Sequence, residues 1–96
     1  QHDDIDIVDL HAGQLLDNMD GMKPADIMEY QLDVVKKKME ACKHEKGKKI
    51  IFIHGKGQGV LRNAILRELR FSYKTCTSQD ASFREYGFGA TMVIIH

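Results

Sequence analysis

Residues 49–62 read KIIFIHGKGQGVLR, and the pattern changes twice within this short stretch. The nearly continuous apolar run at 49–53 predicts a strand that is buried on both faces. From Val60 onward the apolar residues recur at helical spacing, which predicts an amphipathic helix. Its apolar stripe would consist of Leu61, Ile65, Leu66 and Leu69. A buried strand, a glycine-rich loop and a helix in direct succession indicate an α/β domain.

The loop between this strand and this helix predicts a phosphate site. Gly55, Gly57 and Gly59 alternate and leave backbone N–H groups accessible, and a helix beginning near Val60 directs its positive end toward an anion. A titratable ring and positive charge are added by His54, Lys56 and Arg62. The order of residues differs from those of the P-loop and the dinucleotide fingerprint. The alternative interpretation is that the glycines only turn the chain.

Strand and helix signals alternate on both sides of this stretch. Residues 5–10 are rich in β-branched side chains and predict a first strand, and residues 14–23 predict a loop or at most a helical turn. Pro24 suits the first turn of a helix, and Gly47 suits the chain just beyond its end. The apolar face of this helix would consist of Met28, Leu32, Val35, Met39 and Cys42.

The C-terminal third of the chain predicts two more strands. We expect a third strand near Phe71 to Thr77, a polar loop through Arg84, and a closing strand at residues 90–95. Strands that alternate with helices are expected to be parallel, whereas the last two strands are expected to pair antiparallel. The sequence thus predicts the order βαβαββ, in a two-layer α/β fold with a mixed four-stranded sheet.

This order brings chemically active side chains to one edge of the sheet. Ligands of open α/β sheets gather at the carboxyl ends of the parallel strands, where both Asp9-Leu10-His11 and His54 are expected. If strand geometry persists, Asp9 and His11 point to the same side, and the carboxylate can orient the imidazole or help hold a cation. Leu10 would then point into the core. The alternative is a surface histidine beside an aspartate that caps a turn.

Composition narrows the class of protein. A chain of 96 residues with 43% hydrophobic content is expected to form one domain, residues 1–96. There is no apolar run of about 18 residues and no secretory leader, so we expect no membrane span. Cys42 and Cys76 are far apart and lack a C-x-x-C neighbour, which indicates packing roles, a cytoplasmic location and no structural zinc site. Because the chain begins at Gln1, we interpret it as a fragment of a longer protein.

A net charge of zero conceals a strong asymmetry. Residues 1–35 hold nine acidic residues and one basic residue, whereas residues 36–74 hold twelve Lys and Arg and three acidic residues. Such a separation predicts a dipolar surface, one side of which can meet a polyanion. The alternative is an ordinary solvated helix end that is rich in lysine.

Three segments together resemble the motifs of the Smr (small MutS-related) domain. They are VDLH at residues 8–11, HGKGQGVLR at 54–62 and GFGATMV at 87–93, which occur in the family's order and span nearly the whole chain. The residues around the third segment are similar to the C-terminal Smr module of bacterial proteins that carry an N-terminal part of unknown function. The chain as a whole resembles the C-terminal Smr domain of MutS2-type and other bacterial Smr proteins. The chain departs from the family at Ala12-Gly13, where many members have a single glycine, and at Phe88, where glycine or a polar residue is common.

The resemblance implies a fold like the C-terminal domain of translation initiation factor 3 and an activity directed at nucleic acid. Smr domains at the end of MutS2 proteins nick DNA, and others cleave RNA. The implied function is therefore a nicking endonuclease for structured or branched DNA or RNA, in DNA repair, recombination or RNA quality control. The family's D-x-H motif falls on Asp9 and His11, its H-G-x-G motif on His54, Gly55 and Gly57, and its trailing arginine on Arg62.

A mechanism can be sketched from the residues as a hypothesis. His11 and His54 would divide the general acid and base roles, and Asp9 would fix the tautomer of His11. The scissile phosphate would be held by Gly55, Lys56, Gly57, Gly59 and Arg62. RNA carries its own nucleophile in the 2′-hydroxyl and needs no metal. With DNA, water must attack, and the residues form only a sparse site for Mg²⁺ or Mn²⁺. This chemistry favours RNA, while the DNA-cleaving members of the family leave DNA open.

Two alternatives lack catalysis. In the first, the loop and the basic segment only bind nucleic acid, and Tyr86 and Phe88 stack on bases. Packing beside the neighbouring glycines is the more common role for such a pair. In the second, the chain is an interaction domain for the N-terminal remainder of its parent protein, and its acidic N-terminal segment suits a basic protein partner.

Overall fold

The computed structural model describes residues 5–57, 59–87 and 89–96. Within them the chain forms β1 Ile5–Asp9, α1 Ala12–Leu15, α2 Pro24–Cys42, β2 Lys49–Ile53, α3 Val60–Ser72, β3 Cys76–Asp80, α4 Phe83–Tyr86 and β4 Ala90–Ile95. The predicted order βαβαββ is confirmed, and the single-turn helices α1 and α4 are additions to it. No helix in this part of the chain is long and apolar enough to cross a membrane.

The four strands form one mixed sheet in the order β1-β2-β4-β3. β1 and β2 are parallel, and β4 is antiparallel to both β2 and β3. The antiparallel pairing of the last two strands is therefore confirmed, but β4 lies between β2 and β3. The burial of the strands explains this position: β4 is buried along most of its length, whereas β3 reads CTSQD and is largely exposed. The apolar strand occupies the centre and the polar strand the edge.

Helices α2 and α3 cover one face of the sheet and enclose the main core. β2 contributes Ile50 and Phe52 to this core, and β4 contributes Val93 and Ile95, all 0–1% exposed. The helices supply the residues predicted from their periodicity, namely Val35, Met39 and Cys42 from α2 and Ile65 and Leu69 from α3. The predicted packing role of Cys42 is thus confirmed.

The opposite face of the sheet carries a smaller core. Ile51 and Ala90 are buried there with Ala81, and Ile53 and Tyr86 pack against them. β2 is therefore buried on both faces, as its apolar run predicts. This smaller core joins the end of β2 to α4 and so helps to position the edge of the sheet where β2 ends.

The predicted strand near Phe71 to Thr77 is wrong, because α3 continues to Ser72 and β3 begins only at Cys76. Tyr73 lies one helical turn after Leu69, and both side chains enter the core. The Tyr73 hydroxyl donates a 2.8 Å hydrogen bond to Oε2 of Glu40 on α2, while Phe71 is 69% exposed. Packing between the helices therefore outweighs the strand propensity of the two aromatic residues. The predicted polar loop through Arg84 is also wrong, since it contains the end of β3 and α4.

The acidic and basic segments contact each other at β1. The Asp6 carboxylate pairs with Lys38 of α2, and with Lys48 at 3.1 Å. Hydrogen bonds from Lys38 and then from Lys48 lower the pKa of Asp6. Part of the charge asymmetry of the sequence is therefore neutralised inside the fold, which reduces the acidic surface that the interaction-domain alternative requires.

Candidate functional site

Three segments of the chain meet at the edge of the sheet where β1 and β2 end. The amide of Leu10 donates a 2.8 Å hydrogen bond to the carbonyl of Ile53, which holds the ends of the two parallel strands together. β4 is antiparallel, so its beginning lies at the same edge. There the carbonyl of Gly89 accepts hydrogen bonds of 2.9 Å from the amides of His54 and Gly55. The structure thus brings both predicted histidines to one edge of the sheet.

Asp9 and His11 form a hydrogen-bonded pair. Oδ1 of Asp9 lies 2.8 Å from Nδ1 of His11 and accepts a second hydrogen bond, of 2.9 Å, from the His11 amide. These bonds, the backbone one first, lower the pKa of Asp9, so its carboxylate is ionised and can only accept. Nδ1 of His11 therefore carries the hydrogen. The side chain is 56% exposed and Nε2 of neutral His11 is left as a proton acceptor, while Leu10 is fully buried as predicted.

His54 lies in a different environment from His11. It is only 9% exposed, and both ring nitrogens have partners within the protein. Nδ1 lies 3.0 Å from the carbonyl of Gly55 and Nε2 lies 2.9 Å from the hydroxyl of Thr91. A carbonyl can only accept, so Nδ1 donates, and Nε2 of the neutral ring accepts from Thr91. Burial lowers the pKa of His54 and keeps the ring neutral.

Three glycines of the loop between β2 and α3 have positive φ angles, and the loop leads directly into α3. Gly55, Gly57 and Gly59 have φ values of +87°, +36° and +82°, a region that other residues adopt rarely. Gly59 precedes α3 directly, so the loop ends at the positive end of a 13-residue helix. Glycines that leave backbone N–H groups accessible, followed by a helix N-terminus, are a common arrangement for binding anions.

The loop lies against His11. A Cβ atom on Gly55 would stand 3.1 Å from Nε2 of His11, closer than ordinary van der Waals contact. The Nε2 atom that the Asp9 bond leaves as an acceptor therefore lies next to the loop. The Asp9–His11 pair and the glycine loop, which are far apart in the sequence, are therefore in contact. Any phosphate held by the loop would be close to the His11 imidazole.

Two cationic side chains lie at the loop, one within it and one in the helix that follows. The guanidinium of Arg62, in the first turn of α3, donates a 2.9 Å hydrogen bond to Asp80 at the end of β3. Its side chain is 38% exposed, so it is held in place and still accessible. Lys56 is exposed on the loop itself. The loop and the start of α3 line a cavity of about 160 Å³, whose described lining consists of residues 54–57 and 59–62.

Three contacts at this site escaped the sequence patterns. Thr91 positions His54, Gly89 contacts Gly55, and Asp80 holds Arg62. Gly89 and Thr91 lie within the segment at 87–93, whose only signal in the sequence is its resemblance to the third Smr motif. Asp80 lies at the end of β3, which is predicted too early in the chain from the sequence. Phe88, which was considered for base stacking, lies outside the described residues.

Among the residues that the structure describes, no three His, Cys, Asp or Glu side chains converge on a point that could hold a metal ion. The carboxylates at this edge of the sheet instead form separate pairs: Asp9 is hydrogen-bonded to His11, and Asp80 is hydrogen-bonded to Arg62. These carboxylates orient a ring and a guanidinium.

The sequence pattern of the Smr domain family matches residues 21–96 of this chain. The chain belongs to the Smr domain family. This match includes the glycine loop, Arg62 and β4, and it begins after Asp9 and His11.

Two comparisons extend this assignment. The crystal structure of the Smr domain of Thermus thermophilus MutS2 is similar, with a TM-score of 0.61 and 27% identity over 95% of this chain and 98% of that one. The mixed α+β architecture is therefore that of Smr domains. Endonuclease MutS2 of Finegoldia magna is 38% identical over 66 residues, which are 69% of this chain and 8% of that protein. This Smr domain thus spans only a small part of that relative.

Proposed function

We propose that this Smr domain binds nucleic acid and cleaves one phosphodiester bond at the edge of the sheet. The observation that carries the proposal is the Asp9–His11 pair with its Nε2 atom next to the glycine loop. A carboxylate-oriented imidazole beside an anion-binding loop is an arrangement suited to phosphodiester cleavage. Similarity to a relative named endonuclease MutS2 supports the same class of reaction.

The loop is proposed to hold the scissile phosphate. Amides of Gly57 and Gly59 would donate to its oxygens, and the positive end of α3 favours the negative charge. Lys56 and Arg62 would neutralise the charge that develops as the nucleophile attacks. The 2.9 Å bond to Asp80 holds the guanidinium of Arg62 in place, so less side-chain entropy is lost when the phosphate binds.

His11 is proposed as the general base. Its Nδ1–H group is bonded to the ionised Asp9, which leaves the Nε2 lone pair to take the proton from the attacking oxygen. That oxygen then bonds to phosphorus, and the bond from phosphorus to the leaving oxygen breaks. The leaving oxygen takes up a proton from solvent. Asp9 would also stabilise the imidazolium that forms.

For His54 the geometry favours a positioning role over the proton transfer expected from the sequence. Its Nε2 atom accepts from Thr91 and its Nδ1 atom donates to the carbonyl of Gly55. These bonds tie the first glycine of the loop to β4. We propose that His54 keeps Gly55 in the conformation that brings the loop next to His11.

Both DNA and RNA are possible substrates of this site. With RNA, the 2′-hydroxyl would attack, and the product would carry a 2′,3′-cyclic phosphate. With DNA, water would attack in its place. One imidazole base and an anion-binding loop suffice for the RNA route, so RNA is the substrate that the chemistry favours.

The test is cleavage of supercoiled plasmid and of a structured RNA, each with and without EDTA. We expect wild type to cleave at least one substrate, and His11→Ala to lose at least about 100-fold in rate, since general base catalysis contributes about 10²–10⁴. The matched control is His44→Ala, because His44 is exposed between α2 and β2 at the opposite end of the sheet. It should cleave like wild type.

The outcomes separate the alternatives. Cyclic phosphate ends that form in EDTA would establish the RNA route, and dependence on Mg²⁺ or Mn²⁺ would count against it. Equal cleavage by wild type and His11→Ala would refute the proposed role of His11. Binding that weakens with salt but leads to no cleavage would establish the non-catalytic binding module instead.

A further inference from the structure

A second cavity adjoins the one at the glycine loop. It has a volume of about 390 Å³, against about 160 Å³ for the loop cavity, and both are lined by Gly55 and Lys56. We call it the side cavity, and its lining consists of His11, Ile53, Gly55, Lys56, Tyr86 and Gly89. A group bound there would be contiguous with a phosphate in the loop and would contact the imidazole of His11.

We propose that the side cavity binds an unpaired nucleobase of the nucleic-acid strand whose phosphate occupies the loop. This inference rests on the proposed function and adds a substrate class to it, namely a strand that is unpaired at the site of cleavage.

The walls of the side cavity suit a flat aromatic ring. Ile53 and Tyr86 both pack against the smaller core and both line the cavity, so they add an aliphatic and an aromatic side chain to its wall. Bases of any kind stack on aromatic side chains because every base has a π-face. The remaining lining consists of glycine backbone and two polar side chains, a small number of polar groups in an otherwise apolar site, as is typical of small-ligand sites.

Two glycines permit the cavity to exist beside the loop. A Cβ atom on Gly89 would stand 2.6 Å from the carbonyl carbon of Gly55, so only glycine allows the two backbones to form one continuous wall. A Cβ atom on Gly87 would stand 4.0 Å from Cε of Lys56, which places the lysine stem along the turn that follows Tyr86. Lys56 also lines both cavities, so its side chain adjoins the proposed phosphate and the proposed base.

Size and position distinguish a base from other ligands. The volume of about 390 Å³ falls within the range of about 300–1,000 Å³ that is typical of small-ligand sites. A base is attached to its phosphate through one sugar, which matches two contiguous cavities. A base inside a duplex is stacked and paired and cannot enter, so the nucleotide must be single-stranded or flipped out.

The test measures binding, so it does not depend on cleavage. The probes are a short single-stranded oligonucleotide of mixed sequence, an abasic strand of equal length and charge, and the oligonucleotide paired with its complement. We expect wild type to bind the single strand at least about fivefold more tightly than the abasic strand, because a stacked base contributes about 1–3 kcal/mol. Replacement of one adenine by 2-aminopurine should give fluorescence quenching on binding.

Three variants isolate the ring of Tyr86. Tyr86→Leu keeps an apolar side chain against the smaller core but removes the ring, and it should lose about tenfold in affinity for the single strand. Its affinity for the abasic strand and for the duplex should not change. Tyr86→Phe keeps the ring and should bind like wild type. The matched control is Phe71→Leu, which should bind all three probes like wild type. Phe71 is a 69% exposed aromatic residue near the end of α3 that is remote from the glycine loop.

A folding defect in Tyr86→Leu is excluded by an unchanged thermal melt and by retained affinity for the abasic strand. Equal loss of affinity for all three probes, or equal binding of abasic and normal strands by wild type, would overturn the base site. If Tyr86→Leu binds like wild type while His11→Ala abolishes cleavage, the base site is refuted and the nuclease stands. If single-strand affinity depends on Tyr86 while His11→Ala cleaves like wild type, the nuclease is refuted and the base site stands.

Discussion

The backbone of Gly89 lies so close to Gly55 that a Cβ atom on Gly89 would stand 2.6 Å from the Gly55 carbonyl carbon. The carbonyl of Gly89 also accepts hydrogen bonds of 2.9 Å from the backbone amides of His54 and Gly55. The start of β4 thus holds the loop that follows β2. Glycine is required at position 89 by this steric contact.

Gly89→Ala should therefore damage both the fold and the site. The nearest atoms belong to backbone, which cannot rotate away as a side chain does, so we expect a loss of about 1–3 kcal/mol in the free energy of unfolding. Cleavage should fall at least about tenfold because the loop moves relative to His11. Urea unfolding and the plasmid and RNA assays measure the two effects.

The control for this variant is Gly13→Ala. Gly13 lies in α1 and has nothing within 4 Å of an added Cβ. Its stability should be unchanged or slightly higher, since alanine is favoured over glycine in helices by about 0.5–1 kcal/mol. Equal effects of the two substitutions would contradict the steric argument.

Substitutions of Asp9 should separate its charge from its hydrogen bonds. Asp9→Asn retains an oxygen that can accept from His11 but loses the negative charge, whereas Asp9→Ala loses both. We expect Asp9→Asn to lower the cleavage rate by about tenfold or more, and Asp9→Ala to approach the loss seen in His11→Ala. Single-turnover cleavage rates measure this series. Wild-type rates in Asp9→Ala would exclude an orienting role.

The stability of the domain should fall as the pH drops through the ordinary titration range of histidine. Burial lowers the pKa of His54, whereas in the unfolded chain the ring takes up a proton near pH 6.5. Unfolding is then favoured by protonation below about pH 6.5, and the contribution of His54 is complete above that value. Thermal melts between pH 8 and pH 5 should show a smaller pH dependence in His54→Gln than in wild type. The control is His44→Gln, at an exposed histidine between α2 and β2, and an equal reduction in both variants would contradict the assignment to His54.

Tyr73 should contribute measurably to stability through Glu40. Its hydroxyl donates a 2.8 Å hydrogen bond to that carboxylate, and Tyr73→Phe removes only this bond. Glu40 keeps its contact with Lys43 at 2.8 Å, so no buried group loses all its partners. We expect the free energy of unfolding to fall by about 0.5–1.5 kcal/mol, measured by urea titration. No change would mean that water replaces the bond without loss.

Tyr73 should also give a spectroscopic signature. Burial, with the Glu40 bond second, raises the pKa of Tyr73 to about 12. Because the folded pKa lies above the unfolded value of about 10, this contribution to stability is complete below pH 10 and is lost between about pH 10 and 12. Phenolate absorbance in wild type should contain a late-titrating component from Tyr73, and Tyr73→Phe should lack this component.

Much of the fold was predictable because its signals are local. The periodicity of Val35, Met39 and Cys42 identifies the buried face of α2, and the apolar run at 49–53 identifies β2. The end of α3 was not predictable from such signals. Phe71 and Tyr73 have strand propensity, and the helix continues because Leu69 and Tyr73 pack in the core and Tyr73 bonds to Glu40 on another helix.

The strand–loop–helix unit at 49–62 was readable from the sequence, whereas the spacing of Asp9 and His11 indicated their pairing only as one of two interpretations. Hydrophobic periodicity and a spacing of two residues act within a few residues of the chain. The position of β4 between β2 and β3 and the burial of His54 against Thr91 depend on long-range packing. The same is true of the cavity that Tyr86 lines next to His11. These contacts join residues that are distant in the chain. They form only in the complete fold, where the apolar strands are buried and the buried polar groups find hydrogen-bond partners at the same time.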